Sequence, residues 1–200
     1  MRHGQTPTTG KKLPGRTPGL HLAPRGIEQA EQAGARIAAL DRIRAVYASP
    51  MERTRETAAP IARACGVRVR THKGLIEADF GEWTGKNLSA LRKRPEWATV
   101  QRYPSGFRFP GGESFSEMQT RMTGAVAELV HRHPGETIVA VSHADTIKAA
   151  VADAAGTPLD LFQRIVISPC SVSGVMYSTT GPIVQAVNST GDDLSSLVPS

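Results

Sequence analysis

Cysteine is nearly absent: Cys65 and Cys170 are the only two in 200 residues. Two cysteines exclude a disulfide framework, and their separation is not that of a metal knuckle, so both are expected as reduced core or surface residues. Long apolar runs are missing too. Nothing approaches the roughly 18 residues of a membrane-spanning helix, and no signal-peptide pattern precedes the first motif. The expectation is a cytoplasmic chain with no membrane partner. Aromatic residues make up only 5%. A nucleic-acid binder usually shows a basic stripe interleaved with aromatics. Here the basic residues are scattered apart from Arg92-Lys93-Arg94, so nucleic acid is not an expected partner. The net charge of +6 suits capture of a small phosphorylated metabolite instead.

What is present is enough for one domain. A hydrophobic fraction of 40% over 200 residues can fill a core, and neither a repeat nor a linker divides the chain, so residues 1–200 read as a single unit. Apolar residues at helical spacing after Pro24 (Ile27, Ala30, Ala33, Ile37, Leu40) predict a helix over about 24–40. RAVYAS (44–49) reads as a buried strand. Ser49, Pro50 and Glu52 then read as N-cap, first helical position and third helical residue of a helix running towards Gly66, with Pro60 as a kink. VRVRT (67–71) alternates like a half-buried strand.

Residues 72–113 show no sustained period beyond a short helix near 88–94. Such a stretch is usually a loop or lid, and 86–113 is assigned that role. Ser114 and Glu117 form a capping-box pattern for a helix over 114–133. TIVAVS (137–142) reads as a strand buried on both faces, followed after His143 by another helix. A short helix near 158–163, strands near 165–167, 172–178 and 183–187, and a frayed tail over 191–200 complete the reading. The alternation predicts an α/β fold, a three-layer sandwich with a mainly parallel sheet flanked by helices.

In open parallel sheets, ligands bind beyond the carboxyl ends of the strands. Arg53 follows RAVYAS, His143 follows TIVAVS, and Glu77 comes soon after VRVRT; Arg2, His3 and Gly4 join them if a strand leads into the chain. Arginines can spread the charge of a phosphoryl group, histidine can attack phosphorus and a carboxylate can shuttle a proton. Taken singly, each has a structural explanation. Arg53 lies among Glu52, Arg55 and Glu56, as on a solvated helix face. Glu77 fits a polar loop, and His143 fits a strand-to-helix turn.

Several local contexts together resemble the histidine phosphatase superfamily, also called phosphoglycerate mutase-like. RHGQT is similar to the family's R-H-G-x-T, and GRTPGLHLAPRGIEQA to its loop and first helix. ASPMERTRETA is similar to the segment bearing the pocket arginine, and LIEADFGEWTG to the one bearing the acid. PGGES and VSHADTIKA resemble later motifs. The resemblance implies His3 as nucleophile, with Arg2, Arg53 and His143 holding the phosphoryl oxygens and Glu77 as acid and base. It further implies Gly4, Thr9, Gly15, Arg16 and Ala144 as substrate-binding positions, and no metal or cofactor. Asp79 and Glu82 flank the acid; Glu77 matches the family's place before F-G-x-W.

Two departures stand out. Thr9 occupies the place of a phosphoryl-binding asparagine, and its hydroxyl keeps one hydrogen bond to give. The family's RHG also follows a central strand, and the expectation is that this strand is missing ahead of Met1. The expectation is that Met1 stands for a valine of V-R-H-G, with about five to eight strand residues upstream. Hydrolysis of a phosphomonoester is the first functional expectation. A phosphoglycerate mutase-type phosphomutase and a binding-only relative are the alternatives. Substrate identity and homodimer formation stay open.

Overall fold

The structure is a computed structural model and describes residues 1–40 and 42–191. Residues 192–200, where the frayed tail was expected, lie outside the described residues. Among the described residues there are six α-helices and five strands: α1 (Pro24–Ala38), β1 (Ile43–Ala48), α2 (Glu52–Ala64), β2 (Val69–Thr71), α3 (Leu88–Leu91), α4 (Glu96–Arg102), α5 (Phe115–Arg132), β3 (Thr137–Val141), α6 (Ala144–Ala154), β4 (Val172–Ser178) and β5 (Gly181–Ser189).

The central sheet has the order β2-β1-β3 and is wholly parallel, with Val46 opposite both Val69 and Val139. β4 and β5 form an antiparallel hairpin. Residues 1–3 run beside the end of β3: Ser142 N–H donates to Met1 O (2.9 Å) and His3 N–H to Ser142 O (3.0 Å). On their other side Arg2 N–H donates to Ser171 O, just ahead of β4. The carboxyl ends of β1, β2 and β3 therefore share one rim with His3.

Small residues let α1 lie close on α2. Ala30, Ala33, Gly34 and Ile37 form its buried face, and a Cβ on Gly34 would come within 3.2–3.3 Å of the Pro60 and Ile61 backbone. Pro60 sits inside α2 without ending it. This helix pair covers one sheet face through Val46, Ala48, Ala58, Ile61, Val139 and Val141. On the other face α5 brings Met122, Ala125 and Leu129 against Tyr47 and Leu75. The expected capping box of α5 is present, with Glu117 N–H on Ser114 Oγ and Ser114 N–H on Glu117 Oε2.

Four expectations need correction. The N-cap of α2 is Met51, not Ser49: the backbone is still extended at Met51, so the Ser49 hydroxyl comes too early to cap, and it accepts instead from Met51 N–H (3.3 Å) and His143 Nε2 (2.8 Å). β3 buries Val139 and Val141 fully, but Ile138 and Ala140 only in part beneath α5. The strand expected at 165–167 is irregular backbone, its Ile167 carbonyl accepting from Arg2 Nη1 at 2.6 Å. Finally, the stretch 72–113 contains α4, which carried too few apolar residues to show a period. Its order comes from an aromatic core: all five phenylalanines and both tryptophans meet there, including Phe80, Trp83, Phe107 and Phe109.

Candidate active site

His3 is fixed from both sides. Gly4 N–H donates to Thr57 Oγ1 (3.0 Å), and a Cβ on Gly4 would lie 2.5 Å from Gly26 O. Only glycine lets the chain pass the start of α1 this closely. His3 Nδ1 is 2.7 Å from Gly4 O. A carbonyl oxygen only accepts, so Nδ1 carries the proton and Nε2 keeps its lone pair. Burial, then the charges of Arg53 and Arg2, push the imidazole pKa down to about 3. The neutral imidazole, with its Nε2 lone pair, therefore persists at any physiological pH.

Arg53, in the first turn of α2, is wholly buried. Its Nη2 donates to Gly15 O (2.8 Å) and to His143 Nδ1 (3.3 Å). Its Nε and Nη1, and Nε of Arg2, are buried without any partner. Such donors carry a desolvation cost and call for an explanation. Burial depresses both guanidinium pKa values, opposed in each case first by the charge of Glu77.

His143 follows β3 with its ring 5.2 Å from that of His3. Since Nδ1 accepts from Arg53, Nε2 is protonated and donates to Ser49 Oγ at 2.8 Å. Burial first, then Arg53, His3 and Arg2, hold it neutral. Glu77 Oε2 stands 3.8 Å from His143 Nδ1, while Oε1 accepts from Ala78 N–H at 2.9 Å. Burial, then the charge of Asp145, pushes the Glu77 carboxyl up to about 7, against the opposing pull of Arg53, Ala78 N–H and Arg2. A carboxyl able to hold a proton thus sits beside a neutral imidazole and two cations.

The structure brings Arg2, His3, Arg53, Glu77 and His143 together. The remaining expected positions differ in how they are used. Gly15 turns the loop at φ +52° and presents its carbonyl to Arg53. Ala144 opens α6, so its N–H is one of the amides a helix leaves free at that end. Thr9 turns inward, its hydroxyl accepting from Thr6 N–H (2.9 Å) and sharing a bond with Thr6 Oγ1 (3.0 Å). Arg16 donates from Nε to Glu77 O (2.8 Å) and from Nη2 to Glu113 Oε2 (3.0 Å). His21 is exposed and pairs with Glu56.

Sequence reasoning missed Ser49, Thr57, Asp145, Glu113 and Arg121. Asp145 carried a signal, an acid in the first turn after a strand-terminal histidine. Among the described residues no cluster of three or more His, Cys, Asp or Glu has metal-binding geometry. No described helix is long and apolar enough to cross a membrane.

Comparison with known proteins gives the family and the fold. The family model of the histidine phosphatase superfamily (branch 1) matches residues 1–190. A probable phosphoglycerate mutase GpmB of Klebsiella pneumoniae is 32% identical over 180 residues, covering 88% of this chain and 83% of the relative. A bifunctional protein of Mycobacterium tuberculosis is 31% identical over 195 residues, 96% of this chain. The chain spans about half, 53%, of the length of that relative. Among solved structures, YhfR of Bacillus stearothermophilus superposes with a TM-score of 0.85 at 27% identity, covering 98% and 96% of the two chains. A mycobacterial glucosyl-3-phosphoglycerate phosphatase superposes with a TM-score of 0.84 at 22% identity, covering 94% and 96%, a likeness of fold. On the match across residues 1–190 and these relatives, the chain belongs to the histidine phosphatase superfamily (branch 1).

Proposed function

We propose that the chain hydrolyses a phosphomonoester through a phosphohistidine on His3. The observation that carries this reading is the pairing of a free, neutral His3 Nε2 with the unpartnered buried donors of Arg53 and Arg2. A phosphoryl anion would satisfy those donors and draw them towards the charge that develops in transfer. It would also compete with His143 for Arg53 and raise the His143 pKa, turning that ring into a further donor.

The steps balance as follows. The Nε2 lone pair attacks phosphorus, the P–O ester bond breaks, and Glu77 gives its proton to the leaving alkoxide. Water then attacks the phosphohistidine, the Glu77 carboxylate takes its proton, and the P–N bond breaks to return neutral His3 and phosphate. The substrate is a small phosphorylated metabolite, met in the cytoplasm.

A second reading is favoured by the relative named a probable phosphoglycerate mutase. A mutase would keep the phosphoryl group on His3 and return it, which requires water to be excluded. Phosphate release from several esters, measured beside conversion of 3-phosphoglycerate, separates the two. Release dependent on His3 supports hydrolysis; isomer conversion with little release contradicts it.

A further inference from the structure

Glu77, the proposed acid, lies on backbone without regular secondary structure between β2 and the 3₁₀ turn at Gly81–Trp83. No strand ladder holds residues 76–80. The carbonyls of Gly74, Ile76 and Glu77 instead take donors from two arginines. Arg121, on α5, donates from Nη1 to Gly74 O and Ile76 O, both at 2.8 Å. Arg16, on the loop before α1, donates from Nε to Glu77 O at 2.8 Å, and Arg121 Nη2 reaches the same oxygen at 3.4 Å.

Both guanidinium groups close on one carboxylate. Glu113 Oε1 accepts from Arg121 Nε (2.8 Å), and Oε2 accepts from Arg121 Nη2 (2.9 Å), Arg16 Nη2 (3.0 Å) and Asp79 N–H (3.1 Å). Glu113 N–H also donates to Asp79 O at 2.9 Å. The approach leaves no slack, since a Cβ on Gly112 would lie 2.4 Å from Asp79 O. Asp79 Oδ2 stands 3.6 Å from Arg16 Nη1, but Glu113 is the carboxylate that bonds both guanidinium groups, and without its charge the two would face each other across the acid's backbone.

We propose that Glu113 is a positioning residue that sets the Glu77 carboxyl against the leaving oxygen by bridging Arg16 and Arg121. This rests on the hydrolase reading above. Glu113→Gln keeps the shape but replaces an acceptor oxygen with an NH₂ that meets arginine donors. The Glu77 backbone then loosens, and proton transfer tolerates little displacement.

The test compares kcat/KM for two esters, because kcat/KM reports the step that expels the leaving group. Nitrophenyl phosphate has a leaving group stable without a proton, whereas glycerol phosphate needs one. Glu113→Gln is expected to lose about 100-fold on glycerol phosphate and less than about threefold on nitrophenyl phosphate, the selective loss of general acid catalysis. Equal loss on both esters, or no loss on either, overturns the proposal. Should Glu113→Gln fail to fold, Arg121→Lys keeps a cation opposite Glu113 but loses the forked bonds to Gly74 O and Ile76 O and must show the same selectivity; equal loss there overturns the proposal too. A wild-type chain that hydrolyses neither ester removes the hydrolase reading and this inference together.

Discussion

Four arginines surround the site, and they divide by what their N–H groups meet. Arg16 and Arg121 direct their donors at Glu113 and at the carbonyls of Gly74, Ile76 and Glu77. Arg53 is buried more deeply than either and Arg2 is half-buried, yet Arg53 Nε and Nη1 and Arg2 Nε meet nothing. A buried donor left unsatisfied costs about 1–3 kcal/mol, so a fold keeps one only where something else is gained. The first pair holds backbone. The second pair keeps donors free, and the proposed function assigns those to a phosphoryl anion. Residue type alone could not separate them.

The sharpest way to test that division starts with the nucleophile beside the second pair. His3→Ala is expected to lower kcat by about 10⁴-fold or more, measured as phosphate release, with folding intact by circular dichroism. Arg53→Met should lower kcat/KM by about 10²–10³-fold, as for loss of a preorganised donor. Its melting temperature should nonetheless equal or exceed that of the wild type, because a buried charge without a full set of partners is removed. Arg121→Met should do the reverse for stability. Leaving Glu113 without its main partner should cost about 3–5 kcal/mol in denaturant unfolding. A destabilised Arg53→Met beside a stable Arg121→Met would break the comparison.

Smaller effects follow from protonation. Glu77 donates only when protonated, and its folded pKa is raised from 4.5 to about 7. kcat/KM for an alkyl phosphate should therefore fall about tenfold per pH unit above that value. His3, lowered to about 3, loses its lone pair only near that pH, so it adds no acidic limb above it. Glu77→Gln should abolish the alkaline limb. For stability the signs oppose. The raised Glu77 pKa costs folding free energy as pH rises through about 7, and the lowered histidine pKa values cost it as pH falls below 6.5. The smallest expected effect is a rise of a few degrees in melting temperature on adding orthophosphate, present in the wild type and absent in Arg53→Met.

The parts of this molecule legible in the sequence are those written locally. Strand ends carry His143 and Arg53 directly behind them, and the capping box of α5 sits within four residues. The rest is written at a distance. Ser49 looks like a helix cap beside Pro50, and only the return of the chain 94 residues later gives its hydroxyl to His143. Arg16 and Glu113 are 97 residues apart, so no spacing announces their bridge. Thr9 shows the same limit at short range, since its hydroxyl is taken by Thr6 three residues earlier. α4 escaped notice because seven residues around Trp97 and Val100 are too few to establish a period.

The most direct measurement is rapid acid-free quenching of the enzyme during turnover of a ³²P-labelled phosphomonoester, followed by peptide mapping of the labelled chain. Label that is acid-labile, alkali-stable, confined to His3 and absent from His3→Ala is the predicted result. Phosphate release at full rate with no label on His3, or with label on another residue, would contradict it.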